Sequence, residues 1–150
     1  MQKCTLSLFM SEEEKTVTVR ICGCQKGSEN GFQFSNGVDI DWFGDDFVLN
    51  YKTEKMHYFA IADPDGSWKY AGIDPTAFAK RLLIEIKNKI QKYEKNANES
   101  NYWGYNSIIS DSYNKVFKEH EAGVGIYYGS CSLIFIILNL KTLEVEYRNY

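Results

Sequence analysis

DPTAFAKRLLIEIKNKIQKYEK, residues 74–95, decides the fold. Aspartate at its head caps free backbone amides. Proline suits the next position, the first of a helix, where its missing N–H has no partner anyway. Phe78, Leu82, Ile86 and Ile90 recur every four residues, with Ala79, Leu83 and Tyr93 beside them. That spacing is an apolar stripe along one helical face. Lys80, Arg81, Lys87, Lys89, Lys92 and Lys95 occupy the rest. The stretch predicts one long amphipathic helix over about 75–95, and an amphipathic helix needs an apolar surface to lie on.

Both flanks supply strands. Upstream, Cys4, Leu6, Leu8 and Met10 alternate with Thr5, Ser7 and Phe9, and Val17, Val19 and Ile21 with Thr16, Thr18 and Arg20. Period two marks strands with one buried face, and the polar run Ser11–Lys15 between them suits a hairpin. Phe32 and Phe34 open a possible third strand before the turn at Asn36-Gly37. Val38, Ile40 and Trp42 alternate with Asp39 and Asp41. Phe47, Leu49 and Tyr51 resume after Gly44-Asp45-Asp46, and a further strand covers Met56 to Ala62. Asp63-Pro64-Asp65-Gly66 is a turn, because proline presets its dihedral and glycine permits a positive one. Trp68 and Tyr70 read as a short aromatic strand.

Downstream, 111–121 predicts a second, shorter helix, closed by Gly123 and Gly125. Val124 to Tyr128 reads as a strand. Ser132 to Asn139 is nearly all apolar, as expected of a strand buried on both faces. A tight Asn139–Thr142 turn joins it to an alternating strand, Leu143 to Tyr147. The order predicts an α+β fold: a mostly antiparallel sheet with a single layer of helix packed on it, in one domain over 1–150.

Composition narrows the function. The chain has 150 residues, 44% of them hydrophobic and 25% charged, with a net charge of −3. This balance is globular. It lacks the basic surplus of a nucleic-acid binder. Six apolar residues, Leu133 to Leu138, are too few to span a membrane, and the N-terminus carries no secretory core. The expectation is a cytoplasmic protein with reduced thiols, binding neither nucleic acid nor membrane, as a monomer or weak homodimer.

Motifs that carry chemistry are sparse. Cys4, Cys22 and Cys24 cluster on the hairpin, but strand parity sends Cys22 away from Cys4, and a structural zinc site needs a fourth ligand. No nucleophile elbow, phosphate loop or dinucleotide fingerprint is present. His57 lies among apolar strand residues. His120 ends the second helical pattern, where a cation suits the dipole. No cofactor and no catalytic residue are assigned on this reading.

Charge distribution is the usable signal. Residues 28–74 hold nine acidic and three basic groups. Trp42, Phe43, Tyr51, Tyr58, Trp68 and Tyr70 are interleaved with them. An acidic, aromatic surface suits a basic protein partner, with charge steering the encounter and aromatic anchors supplying affinity. In kind the profile resembles the immunity proteins that neutralise bacterial toxin domains, a likeness of class that covers no aligned residues. It implies a non-enzymatic, stoichiometric inhibitor of a basic, nuclease-like toxin. Asp39, Asp41, Asp45, Asp46, Asp63 and Asp65 would supply the charge, and Trp42 and Trp68 the anchors. Three alternatives stand beside it. One is a small metal-dependent hydrolase using Asp39 and Asp41, with His57 as a further candidate. Another is a phage- or plasmid-encoded inhibitor of a host defence protein. The last is a module that pairs with its own copy through its edge strand.

Overall fold

The computed structural model describes residues 5–10, 17–22, 39–43, 46–96, 105–123 and 128–150. The chain forms two compact units, residues 1–37 and 38–150. In the first, β1 (Thr5–Met10) and β2 (Val17–Cys22) form the expected antiparallel hairpin, with Leu6 opposite Ile21 and Leu8 opposite Val19.

The second unit holds β3 (Ile40–Phe43), β4 (Asp46–Lys52) and β5 (Met56–Pro64), then a 3-10 helix (Gly66–Ala71), α1 (Pro75–Asn96) and α2 (Tyr105–Glu121). It closes with β6 (Cys131–Asn139) and β7 (Val145–Asn149). The strands make one sheet in the order β3-β4-β5-β6-β7, every pair antiparallel. Both helices are inserted between β5 and β6, the central pair. The fold is α+β with helix packed on an antiparallel sheet, as the sequence predicts.

Local chemistry explains α1. The Asp74 carboxylate accepts from the Thr76 amide at 3.0 Å and from the Thr76 hydroxyl at 2.6 Å, and the helix begins at Pro75. Its stripe of Phe78, Leu82, Leu83, Ile86 and Ile90 is buried. The stripe shares a core with Leu49, Tyr58, Ala60 and Ala62 of the sheet and Ile108, Ile109 and Val116 of α2. Ala60 and Ala62 keep that face of β5 low, so the helix approaches closely. Each large side chain buried here contributes about 1.5–3 kcal/mol. Tyr58 is wholly buried, and its hydroxyl donates to Glu94 of α1, giving the one polar atom of the ring a partner.

Four boundaries differ from the sequence reading. The second helix starts at Tyr105, six residues early, because Ile108 and Ile109 complete its buried face with Ser112 and Val116. Trp68 and Tyr70 lie in the 3-10 helix, not a strand, since Asp65 caps it through the Ser67 amide. The last strand begins at Val145 rather than Leu143, because Leu143 takes a left-handed conformation (φ 63°) to close the turn. The Asn139 side chain holds that turn by accepting from the Lys141 and Thr142 amides. In β6, Leu133, Phe135 and Ile137 are buried, but Ile134 is 40% exposed, so the apolar run is not covered throughout its second face. The strands expected at Phe32–Phe34 and over 124–127 lie outside the described residues, and Tyr128 belongs to no strand. No helix among the described residues is long and apolar enough to cross a membrane.

Candidate functional site

Strand parity sorts the acidic residues. Even-numbered residues of β5 (Met56, Tyr58, Ala60, Ala62) face the helices, so Asp63 points to the opposite face, where it is exposed. Phe47 pairs with Ala62, and Phe47 packs against the helical core. The β4–β5 ladder ends at Phe47–Ala62, and Asp46 and Asp63 are the next residue of each strand beyond it. Ser132 of β6 pairs with Asp63 on its other side and completes the row.

Beside this row, a polar cleft of about 530 Å³ opens at the end of β5. Asp63, Asp65, Ser130 and Ser132 supply its polar lining, and Cys131 borders it while packing against the helical core. The Asp65 carboxylate lies below its ordinary range because it accepts hydrogen bonds, first from the Ser67 amide. Burial, then the negative charge of Asp63, pushes the Cys131 thiol up to about 11. At neutral pH it is a protonated thiol, not a thiolate.

The remaining expected site residues separate. Asp39 precedes β3 instead of lying in it, and its carboxylate pairs with Lys87 of α1 at 2.5 Å. Asp41 and Trp42 stand in β3 opposite Val48 and Phe47. Asp45 falls outside the described residues. Trp68 is half-buried, with its indole N–H donating to the Ser130 hydroxyl at 2.9 Å. Tyr58 and Tyr51 are core residues rather than surface anchors. The proposed acidic, aromatic face is therefore not one continuous surface. Its aspartates divide between an ion pair with the basic helix, a strand row and a turn.

His57 is likewise removed from the cleft. It sits six residues from Asp63 along β5, about 20 Å at the strand rise. Its Nε2 and the Asn50 Oδ1 are 2.7 Å apart, and burial followed by the Lys52 charge lowers its pKa to about 4. Sequence reasoning missed Ser130 and Ser132. Both are ordinary polar residues until the β5–β6 register places them beside Asp63.

Among the described residues, no three His, Cys, Asp or Glu side chains converge on a metal position. The oxygen donors that the register brings nearest are the carboxylates of Asp46 and Asp63 at the ends of β4 and β5, with Ser132 paired to Asp63. Magnesium-like ions are held by one or two carboxylates and keep several waters.

No family model matches the chain, and no solved structure matches it. The chain is 26% identical over 150 residues to a curated protein described as "Protein phosphatase PTC7 homolog fig" from Drosophila grimshawi. The similarity covers 99% of this chain and 43% of that protein, so the chain spans less than half the length of its relative. This likeness overturns the expectation of a non-enzymatic immunity protein or toxin inhibitor. The protein that the chain resembles is named as an enzyme.

Proposed function

We propose that this chain forms part of a metal-dependent phosphatase that removes phosphate from protein side chains. The carboxylates of Asp46 and Asp63 would hold a divalent cation. The observation that carries the reading is the likeness to a protein phosphatase over 99% of this chain, and the ends of β4 and β5, where Asp46 and Asp63 follow the last ladder pair, supply the candidate carboxylates.

Charge favours a cation over the alternatives. A phosphate ester is an anion and is repelled by carboxylates. Between them, a divalent cation supplies charge neutralisation to the phosphoryl oxygens. The chain's own residues do the rest. Asp46 and Asp63 would fix the cation's place on the sheet, and Ser132, which lines the cleft, would donate its hydroxyl to phosphate oxygen, while the Ser130 hydroxyl serves Asp65 and Trp68. A cysteine route is disfavoured, because the Cys131 thiol stays protonated well above neutral pH. The hydrolase version built on Asp39 and Asp41 loses Asp39 to its Lys87 pair, and with His57 it loses reach.

The test is hydrolysis of p-nitrophenyl phosphate by the purified chain, with Mn²⁺ and with a chelator. Hydrolysis that requires Mn²⁺ and falls about 100-fold or more in Asp63→Asn is expected, on the scale of losing a principal electrostatic group. Hydrolysis indifferent to both chelator and substitution would remove the proposal.

A further inference from the structure

The sheet order ends on β7, and among the described residues no strand lies beyond it. The β6–β7 ladder decides which backbone groups that edge turns outward. The Leu133 and Tyr150 amides donate to each other's carbonyls at 3.0 and 2.8 Å, which marks a hydrogen-bonded pair. Such pairs alternate along an antiparallel ladder. Phe135–Arg148 and Ile137–Glu146 are therefore bonded pairs too, while Val145, Tyr147 and Asn149 turn their N–H and C=O groups away from β6.

An exposed edge invites pairing, and proteins guard edges with proline, bulges, short strands or charge. β7 has no proline, and its register with β6 is unbroken from Val145 to Asn149. Its two charges are opposite in sign. Glu146 and Arg148 share the helix side of the sheet, because they pair with the core residues Ile137 and Phe135. Tyr147 stands on the other side, 71% exposed.

These features fit a second copy of the same strand, laid antiparallel about a two-fold axis. With the axis at Glu146 or at Arg148, that residue meets its own like charge, which is destabilising. With the axis at Tyr147, all three outward-turned residues exchange backbone hydrogen bonds, Val145 with Asn149 of the second copy. Glu146 then falls opposite Arg148 of the second copy, and the reverse, at positions without backbone bonds, where Cα atoms approach to about 4.5 Å. Tyr147 meets its own copy at the axis, an aromatic cross-strand pair. In the single chain, Arg148 ion-pairs with Glu146 and donates to the outward Tyr147 carbonyl at 3.0 Å. Arg148 is exposed, and surface pairs of this kind are worth little, so exchanging them across the axis costs little.

We propose that the chain forms a two-fold dimer by joining β7 to β7 of a second copy, centred on Tyr147, so that one antiparallel sheet runs through both copies. The inference stands apart from the phosphatase reading.

The test is sedimentation equilibrium of the full chain at concentrations up to about 1 mM, the weak limit of specific association. The unaltered chain is expected to pass from monomer to dimer. Glu146→Arg and Arg148→Glu each set like charges at both cross-strand positions, and each is expected to weaken association about tenfold or more. An equimolar mixture of the two variants restores both opposite-charge pairs and is expected to recover dimer, which damaged folding could not produce. Tyr147→Pro removes an outward N–H and leaves the β6 ladder intact, so it is expected to abolish the dimer with an unchanged circular dichroism spectrum. An unaltered chain that stays monomeric throughout would overturn the proposal. So would dimers that survive the single charge changes or Tyr147→Pro, or a mixture that recovers nothing.

Discussion

Glu85 lies on the buried side of α1, with its side chain only 1% exposed. Lys115 of α2 reaches it at 2.7 Å, and the two terminal nitrogens of Arg81 stand at 3.4 Å. Arg81 is committed more closely to Glu119, at 2.6 and 2.9 Å. Lys115 is therefore the principal partner of a buried carboxylate, and Lys115→Ala leaves that carboxylate with Asn88 and the two long Arg81 contacts. A hydrogen bond to a charged group is worth about 1.5–3 kcal/mol. Lys115 is 45% exposed, so water replaces part of what is lost, which places the cost near about 1.5–2 kcal/mol. For a chain of this length the thermal midpoint should fall by about 3–8 °C.

The effect depends on pH. Burial pushes the Glu85 carboxyl up, but Lys115, and then Asn88 and Arg81, outweigh it and hold the group below its ordinary value. A lowered carboxyl pKa stabilises the fold above the unfolded value, about 4.3, and loses that contribution as pH falls through the folded value. Thermal melts of Lys115→Ala and the unaltered chain should therefore differ at pH 7 and converge as pH drops below 4.3. A loss under about 0.5 kcal/mol at pH 7, the level of an ordinary surface change, would refute the view that Lys115 satisfies a buried charge.

Leu83→Ala should cost about 2–5 kcal/mol in denaturant unfolding, since Leu83 is fully buried between helix and sheet. A loss below 1 kcal/mol would contradict that packing. The His57 ring should titrate by NMR near pH 4 rather than 6.5, and stability should fall as pH drops between those values because the unfolded ring protonates first. A midpoint near 6.5 would show a solvated ring. Cys131→Ser should keep Mn²⁺-dependent hydrolysis within about twofold, because a buried neutral thiol is no nucleophile. A collapse of the rate would point to thiolate chemistry.

Much of the fold is legible in residues whose periodicity has one cause. Phe78, Leu82, Ile86 and Ile90 face one way because a helix repeats every 3.6 residues, and the structure buries all four. Trp68 and Tyr70 are different. Alternating aromatics look like strand, yet the side chain of Asp65 captures the Ser67 amide and winds the chain into a 3-10 helix. A local cap outweighs two residues of pattern. Glu85 was hidden for another reason: its partner Lys115 lies on a helix thirty residues away.

The site was half legible. Asp46 and Asp63 stand out as acidic residues at strand ends, but their nearness depends on a ladder register that periodicity does not reveal. Asp39 looks equivalent to them in sequence. Only the packing of α1 against the sheet brings Lys87 to it.

The most direct test of the paired-carboxylate site is Mn²⁺ binding by electron paramagnetic resonance in Asp46→Asn, Asp63→Asn and Asp39→Asn. Asp46→Asn and Asp63→Asn should each weaken binding by about tenfold or more, while Asp39→Asn, whose parent carboxylate serves Lys87, should stay within about twofold. Equal losses in all three, or none in Asp46→Asn and Asp63→Asn, would contradict a cation site built on that pair.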